Sequence, residues 1–274
     1  MAKIITDDAI LRQYIPNVMT TVDNETPLYD KMLPFLETAE SWLMETLIGE
    51  PVFNIIANGE HDTRFANVAM AVVSRAFALA VPSLDLVLTP NGFGIVSTNN
   101  VAPASKERVE RLIESLKNIE SQCMAVLLQM LKETTEWHES KQCKWLASSI
   151  IQDLRLLPSD KRSWDEFILL RQKAYDIEQE IAKGWISPQL MSKLTHYEAT
   201  ATYDEDITPM ITHIVRIVVG AVDKGKLNKR GLDDTVSYIK SFPAKFPEWH
   251  GSPTAELFTP PIFENKKSSG GYFF

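Results

Sequence analysis

The sequence predicts a mainly α-helical protein: a helical bundle with an inserted β-hairpin, a long connecting helix, a second helical lobe and an extended C-terminal tail. Three observations carry that prediction. Apolar residues recur at three- and four-residue spacing through most of the chain, which is the period of one helix face. Helix start and stop signals punctuate the same stretches. One turn-rich segment, "LTPNGFGIVSTNNVAPASKERVERL" at residues 88–112, interrupts them with glycine, proline and asparagine.

The first expected helix is short, from about Asp7 to Tyr14, with Thr6 or Asp7 as its cap and Pro16 beyond its end. Thr26-Pro27 then reads as a capping hydroxyl followed by proline at the first helical position. Leu33, Leu36, Ala39, Leu43 and Leu47 keep the helical period until Gly49 and Pro51 close it, and Pro34 near its start favours a bend. Residues from about Arg64 to Val81 are apolar on nearly every side, the pattern of a helix enclosed by others. "LDLVL" and "FGIVS", joined through Pro90-Asn91-Gly92, predict a β-hairpin over residues 84–97.

Pro103 and Ser105 start a further helix, whose apolar stripe runs from Val109 to Leu131; the roughly thirty residues to about Lys132 predict a rod of about 45 Å at 1.5 Å per residue. A rod that long suggests a spine between two lobes. A polar turn at 133–141 follows, then a helix around Trp145, Ile150 and Leu154. Ser163 and Glu166 form a capping box for the next helix. The expected division is therefore 1–116, 117–241 and a Pro/Gly-rich tail at 242–274 that ends in Tyr272, Phe273 and Phe274. That tail is either a segment that docks on a neighbour or a floppy end.

The two lobes share a pattern. "ETAESWLMETLIG" at 37–49 overlies "QKAYDIEQEIAKG" at 172–184, matching Ala39 with Ala174, Glu45 with Glu180 and Gly49 with Gly184. "AMAVVSRAFALAV" likewise overlies "MITHIVRIVVGAV", aligning Arg75 with Arg216, and Thr208-Pro209 supplies another cap-plus-proline start. A degenerate duplication is one explanation, and the general likeness of amphipathic helices is the other. If the lobes are copies, the second lacks the hairpin.

Composition limits the functions. Hydrophobic residues make up 45% and charged residues 23%, enough apolar material for a sizeable core without staples. With 28 basic against 36 acidic residues the net charge is -8, which argues against gripping nucleic acid from outside. Cys123 and Cys143 make no disulfide framework and are expected as reduced core residues. The start "MAKIITDDAI" shows no apolar signal segment, and the most apolar run, Val68 to Val81, contains Arg75 and is too short for a bilayer. A soluble protein, cytoplasmic when made, is the expectation.

The chemistry search returns no catalytic, cofactor or metal set, so an enzyme is not expected. His61, His138, His196, His213 and His250 show no ligand spacing. His61-Asp62 faintly suggests a metal phosphohydrolase dyad without its further ligands. "NGFG" lacks the continuation of a phosphate loop, and G-x-S-x-G is absent. Asp7-Asp8 and Asp233-Asp234 suit helix starts, where the macrodipole favours carboxylates. Arg75 and Arg216, each inside an apolar helix, need a carboxylate partner, an exit to water or a neighbouring subunit.

The order of elements through "LIGEPV" resembles the head–tail connector, or adaptor, proteins of long-tailed bacteriophages. In these, a segment of the form A…(L/I)…(L/I)G-x-P closes one helix of a small bundle; here it is Ala39 to Val52. The stretch from Val72 to Leu112, especially "LTPNGFGIVS" through "APASKERVE", is also similar to proteins encoded among the structural genes of Bacteroidales phages and prophages. The resemblance covers residues 1–116 loosely and about forty residues closely; residues 117–274 resemble nothing we can name.

What it implies is a homo-oligomeric ring, a dodecamer by family pattern. The ring would be stacked on the portal protein at the capsid vertex, with tail or stopper proteins below and genomic DNA passing through unbound. The location implied is the virion, with the host cytoplasm during assembly, no membrane and no cofactor. Candidate subunit or portal contacts are Arg75; Pro90, Asn91, Gly92, Phe93, Ile95 and Val96 in the hairpin; and Tyr272, Phe273 and Phe274. The hairpin either reaches a neighbour or folds back over its own helices. The alternatives are a tail-completion or stopper protein and a helical metal-dependent hydrolase.

Overall fold

The computed structural model describes residues 2–15, 27–83, 86–89, 92–95, 105–154, 163–199 and 207–259. The protein is mainly α-helical, and its contacts divide it into two units. Unit 1 comprises Met1–Leu169 with Ala199–Ala201, and unit 2 comprises Leu170–Glu198 with Thr202–Phe274.

Unit 1 is built around α4, Thr63–Ala80, whose apolar circumference leaves it nowhere to go but inside. Asp62 caps it, its carboxylate accepting from the backbone N–H of Arg64 and Phe65. α2, Leu28–Leu43, and α5, Lys106–Leu131, flank α4, while α1, Asp8–Tyr14, and α3, Glu50–Asn58, pack at its sides. The N-terminal segment is pinned where Glu40, buried on α2, accepts from the backbone N–H of Ile4 and Ile5. Burial raises the Glu40 pKa, and those two bonds oppose the rise.

α5 spans 26 residues, but it does not lead out of the unit. Its stripe of Leu116, Met124, Leu127 and Leu131 is fully buried and the helix lies along α4. The expected boundary after residue 116 is therefore corrected: the first unit runs on through α6, Thr135–His138, and α7, Lys141–Leu146, to Leu169, inside α8, Trp164–Ile181. Between α4 and α5, strand β1, Leu86–Thr89, pairs antiparallel with β2, Gly92–Ile95, in the register Leu86↔Ile95 to Thr89↔Gly92.

Unit 2 contains the rest of α8, then α9, Pro188–Ala199, α10, Ile207–Lys224, and α11, Lys229–Ser241. Two short helices follow, α12, Pro247–His250, and α13, Pro253–Glu256. These correct the expected tail. Residues 242–259 fold into unit 2, with Phe246 and Trp249 fully buried, and only 260–274 lie outside the described residues. Pro247 and Pro253, two of the prolines of that Pro/Gly-rich stretch, each sit in the first turn of a helix, where a missing N–H costs nothing. Thr208-Pro209 likewise falls within the first turn of α10 instead of capping it.

The two units share a construction. α2 ends in a single π-helical turn, Met44–Ile48, followed by Gly49 at φ 82 and ψ 149. α8 ends in the same way, Ala182–Ile186, followed by Ser187 at φ 73 and ψ 144. In each unit the next helix starts at once. In each, too, a later "EWH-x-S" segment locks the π turn from outside. Trp137 donates its indole N–H to the Leu47 carbonyl at 3.2 Å, and Trp249 donates to the Trp185 carbonyl at 2.6 Å. Five residues beyond each tryptophan, Gln142 donates to the Glu45 carbonyl and Thr254 to the Lys183 carbonyl. Ser140 and Ser252 then cap α7 and α13, accepting from the N–H of Cys143 and Ala255.

The equivalent of Gly49 is thus Ser187, three positions beyond the Gly184 that sequence matching selects. Both residues occupy a backbone region nearly reserved for glycine. At Gly49 an added Cβ would also lie 2.9 Å from the Gln142 side-chain oxygen. We expect Gly49→Ala to destabilise unit 1 by about 1–3 kcal/mol in urea unfolding. Ser187 offsets its own strain by capping α9, accepting from the Leu190 N–H, and by donating to the Glu248 carbonyl. Ser187→Gly should therefore stay within about 1 kcal/mol of the parent, because relief of strain offsets the lost cap. Ser187→Ala keeps the strain without the cap and should be the less stable of the two.

Candidate interaction surfaces

Of the residues singled out as contacts, Arg75 has a fully described environment, and it faces inward. Its guanidinium lies 3.3 Å from the centroid of the Trp42 ring and donates to Glu120 at 2.8 Å and to Asp165 at 3.4 Å. Its side chain is 17% exposed and that of Glu120 only 6%. The arginine therefore ties α2, α4, α5 and the start of α8 together within unit 1. Burial raises the Glu120 pKa, opposed chiefly by the charge of Arg75. Arg216 does not repeat this arrangement: it is exposed on α10.

Gly92, Phe93 and Ile95 lie on β2, opposite Thr89, Leu88 and Leu86. Pro90, Asn91, Val96, Tyr272, Phe273 and Phe274 lie outside the described residues.

Two of the histidines take structural parts. His61 stacks on Phe65 with ring centroids 3.9 Å apart, beside Asp62, whose carboxylate is engaged as the α4 cap. His138 donates from Nε2 to the Lys132 carbonyl, and its Nδ1 lies 4.0 Å from the Cys143 sulfur. That pair has the outline of a base and a thiol, but burial pushes the Cys143 thiol up, away from the thiolate. Cys123 is pushed up to about 11, first by burial and then by Glu120. Both cysteines are free. Among the described residues no three His, Cys, Asp or Glu side chains are gathered so that they could hold a metal ion, and no helix is long and apolar enough to cross a membrane.

The concave feature that sequence reasoning missed lies against the first π turn. Glu45, Thr46, Lys141, Gln142, Trp145 and Ile168 line an open, mostly apolar cleft of about 340 Å³ in unit 1. Trp145 stands at its edge, 37% exposed, with its ring against Trp164 and Phe167. The π turn projects Glu45 and Thr46, and the Ser140-capped start of α7 presents Lys141, Gln142 and Trp145. In unit 2 the corresponding position, eight residues beyond the latch tryptophan, is Leu257, which is 71% exposed.

No curated protein and no solved structure matches the chain. Residues 15–146, just under half of it, match the model of a family described as a family of unknown function, DUF6712. The matched span ends with α7, so it takes in one π turn and one tryptophan latch, and the chain is similar to that family over this one copy of the shared construction.

Proposed function

We propose that the protein is a structural component of a tailed-phage virion, a head–tail connector subunit whose work is assembly. Copies pack side by side as a ring on the portal, in the number of twelve by family pattern, and extend the DNA channel toward the tail. The observation that carries this reading is the segment from Val72 to Leu112, which resembles phage structural proteins and bears the β1–β2 ladder between two packed helices.

A two-stranded ladder has an outer edge on each strand, with backbone N–H and C=O groups able to pair with a strand from elsewhere. The acidic net charge of -8 suits a channel wall that DNA passes without sticking.

The test is electron microscopy of the protein mixed with the portal encoded nearest to its gene. A second ring stacked coaxially on the portal is the expected result; bare portals would move the protein to tail completion or away from the vertex. Deleting residues 90–99 should leave the helical circular dichroism intact and abolish the second ring. Undiminished stacking would remove the arm from the mechanism.

A further inference from the structure

We propose that the cleft beside Trp145 is the docking site for residues 260–274 of a second copy of the chain. The inference rests on the reading of the protein as an assembling subunit and names the contact by which neighbours hold one another.

The receiving side is an apolar hollow of about 340 Å³ with an aromatic wall. Trp145, Trp164 and Phe167 form a continuous cluster, with Trp164 and Phe167 stacked at 4.9 Å and fully buried beneath the exposed indole. An aromatic side chain laid against Trp145 would complete the cluster by offset or edge-on packing. At the rim are one carboxylate, Glu45, and one ammonium, Lys141, with Gln142 next to Lys141 in sequence and its amide donating to the Glu45 carbonyl.

The incoming side has the matching chemistry. "PPIFENKKSSGGYFF" ends in three consecutive aromatics and carries Lys266-Lys267 to meet Glu45 and Glu264 to meet Lys141. Its fifteen residues reach about 50 Å when extended, which exceeds the width of a small domain.

The shared construction strengthens the choice of surface. The position of Trp145 in unit 1 is that of Leu257 in unit 2, and both expose a large apolar side chain. In unit 2 that exposed position stands three residues before 260–274 in sequence, so the segment is tethered close to the equivalent of Trp145. An assembly of identical copies can then repeat one contact, tail to cleft, around a ring, as head-to-tail interfaces require.

The experiment uses the full chain with benzoylphenylalanine in place of Phe273, mixing isotopically heavy and light copies on the portal. Irradiation followed by mass spectrometry should give heavy–light cross-links to the peptides containing Glu45, Lys141 or Trp145. Trp145→Ser should lower their yield at least tenfold. Because Trp145→Ser touches an aromatic cluster, Glu45→Lys on the exposed rim is the second variant, expected to lower the yield severalfold with circular dichroism unchanged. Cross-links confined to single chains, or falling elsewhere, overturn the proposal. Stacked rings seen in the same sample without cleft cross-links would overturn it and leave the connector reading standing. Heavy–light cleft cross-links without rings would support the contact and remove the connector reading.

Discussion

Trp137→Ala and Trp249→Ala are expected to be among the most damaging single substitutions in their units, each lowering stability by about 3–5 kcal/mol. Each indole is 1% exposed, so its removal opens a cavity in the core. Each also satisfies a carbonyl in a π turn, where the backbone has departed from ordinary helical pairing, and that carbonyl would be left without the indole N–H. Trp→Phe separates the two contributions. It keeps most of the volume and deletes the donor, and should cost about 1–3 kcal/mol. With two compact units, unfolding need not be two-state, so urea titrations should be followed by circular dichroism and by tryptophan emission together. Trp249→Ala should move a transition that Trp137→Ala leaves in place. If neither variant shifts any transition, the latch is not what closes these turns.

The paired latches also show what could and could not be read from the chain. Helix content follows from apolar period, and the caps at Asp7 and Ser163 follow from side-chain chemistry. The internal likeness was visible between helices, which are nearly anonymous, and was missed where it is most specific. The pattern EWH-x-S occurs twice, as "EWHES" and "EWHGS", yet its copies sit in a polar turn and in a proline-rich stretch where no helical period draws attention.

Matching glycines misplaced the register, because in the second unit a serine tolerates the positive φ by capping the next helix. The same turn hid α3. Gly49 and Pro51 together spell a stop, but Gly49 takes a positive φ and Pro51 lies in the first turn of a new helix. The cleft could not be read at all, since it joins residues about a hundred positions apart through the packing of α7 on the π turn.

Arg75 illustrates the same boundary and supports the second large effect. A charge in an apolar helix was legible; its partner was not, although Glu120 lies on the α5 stripe between Leu116 and Met124 where an apolar residue belongs. Arg75→Ala should cost about 3–5 kcal/mol, because it leaves a buried carboxylate uncompensated and strips the cation from the Trp42 face. Arg75→Met with Glu120→Leu should recover most of that loss, since a buried pair often exchanges for apolar residues without penalty.

The pH dependence carries a sign. Burial already holds the Glu120 pKa above its usual value, and losing Arg75 removes the largest influence opposing that rise. The folded Arg75→Ala protein therefore keeps a proton that the unfolded chain releases near the ordinary glutamate pKa, and its stability falls as pH rises from there to the raised folded value. Relative to the parent, Arg75→Ala should regain stability on acidification toward pH about 4.5, near the unperturbed value for glutamate, whereas the double variant should show no such recovery. A stability deficit in Arg75→Ala that is flat with pH would mean that Glu120 escapes to solvent when its partner is lost.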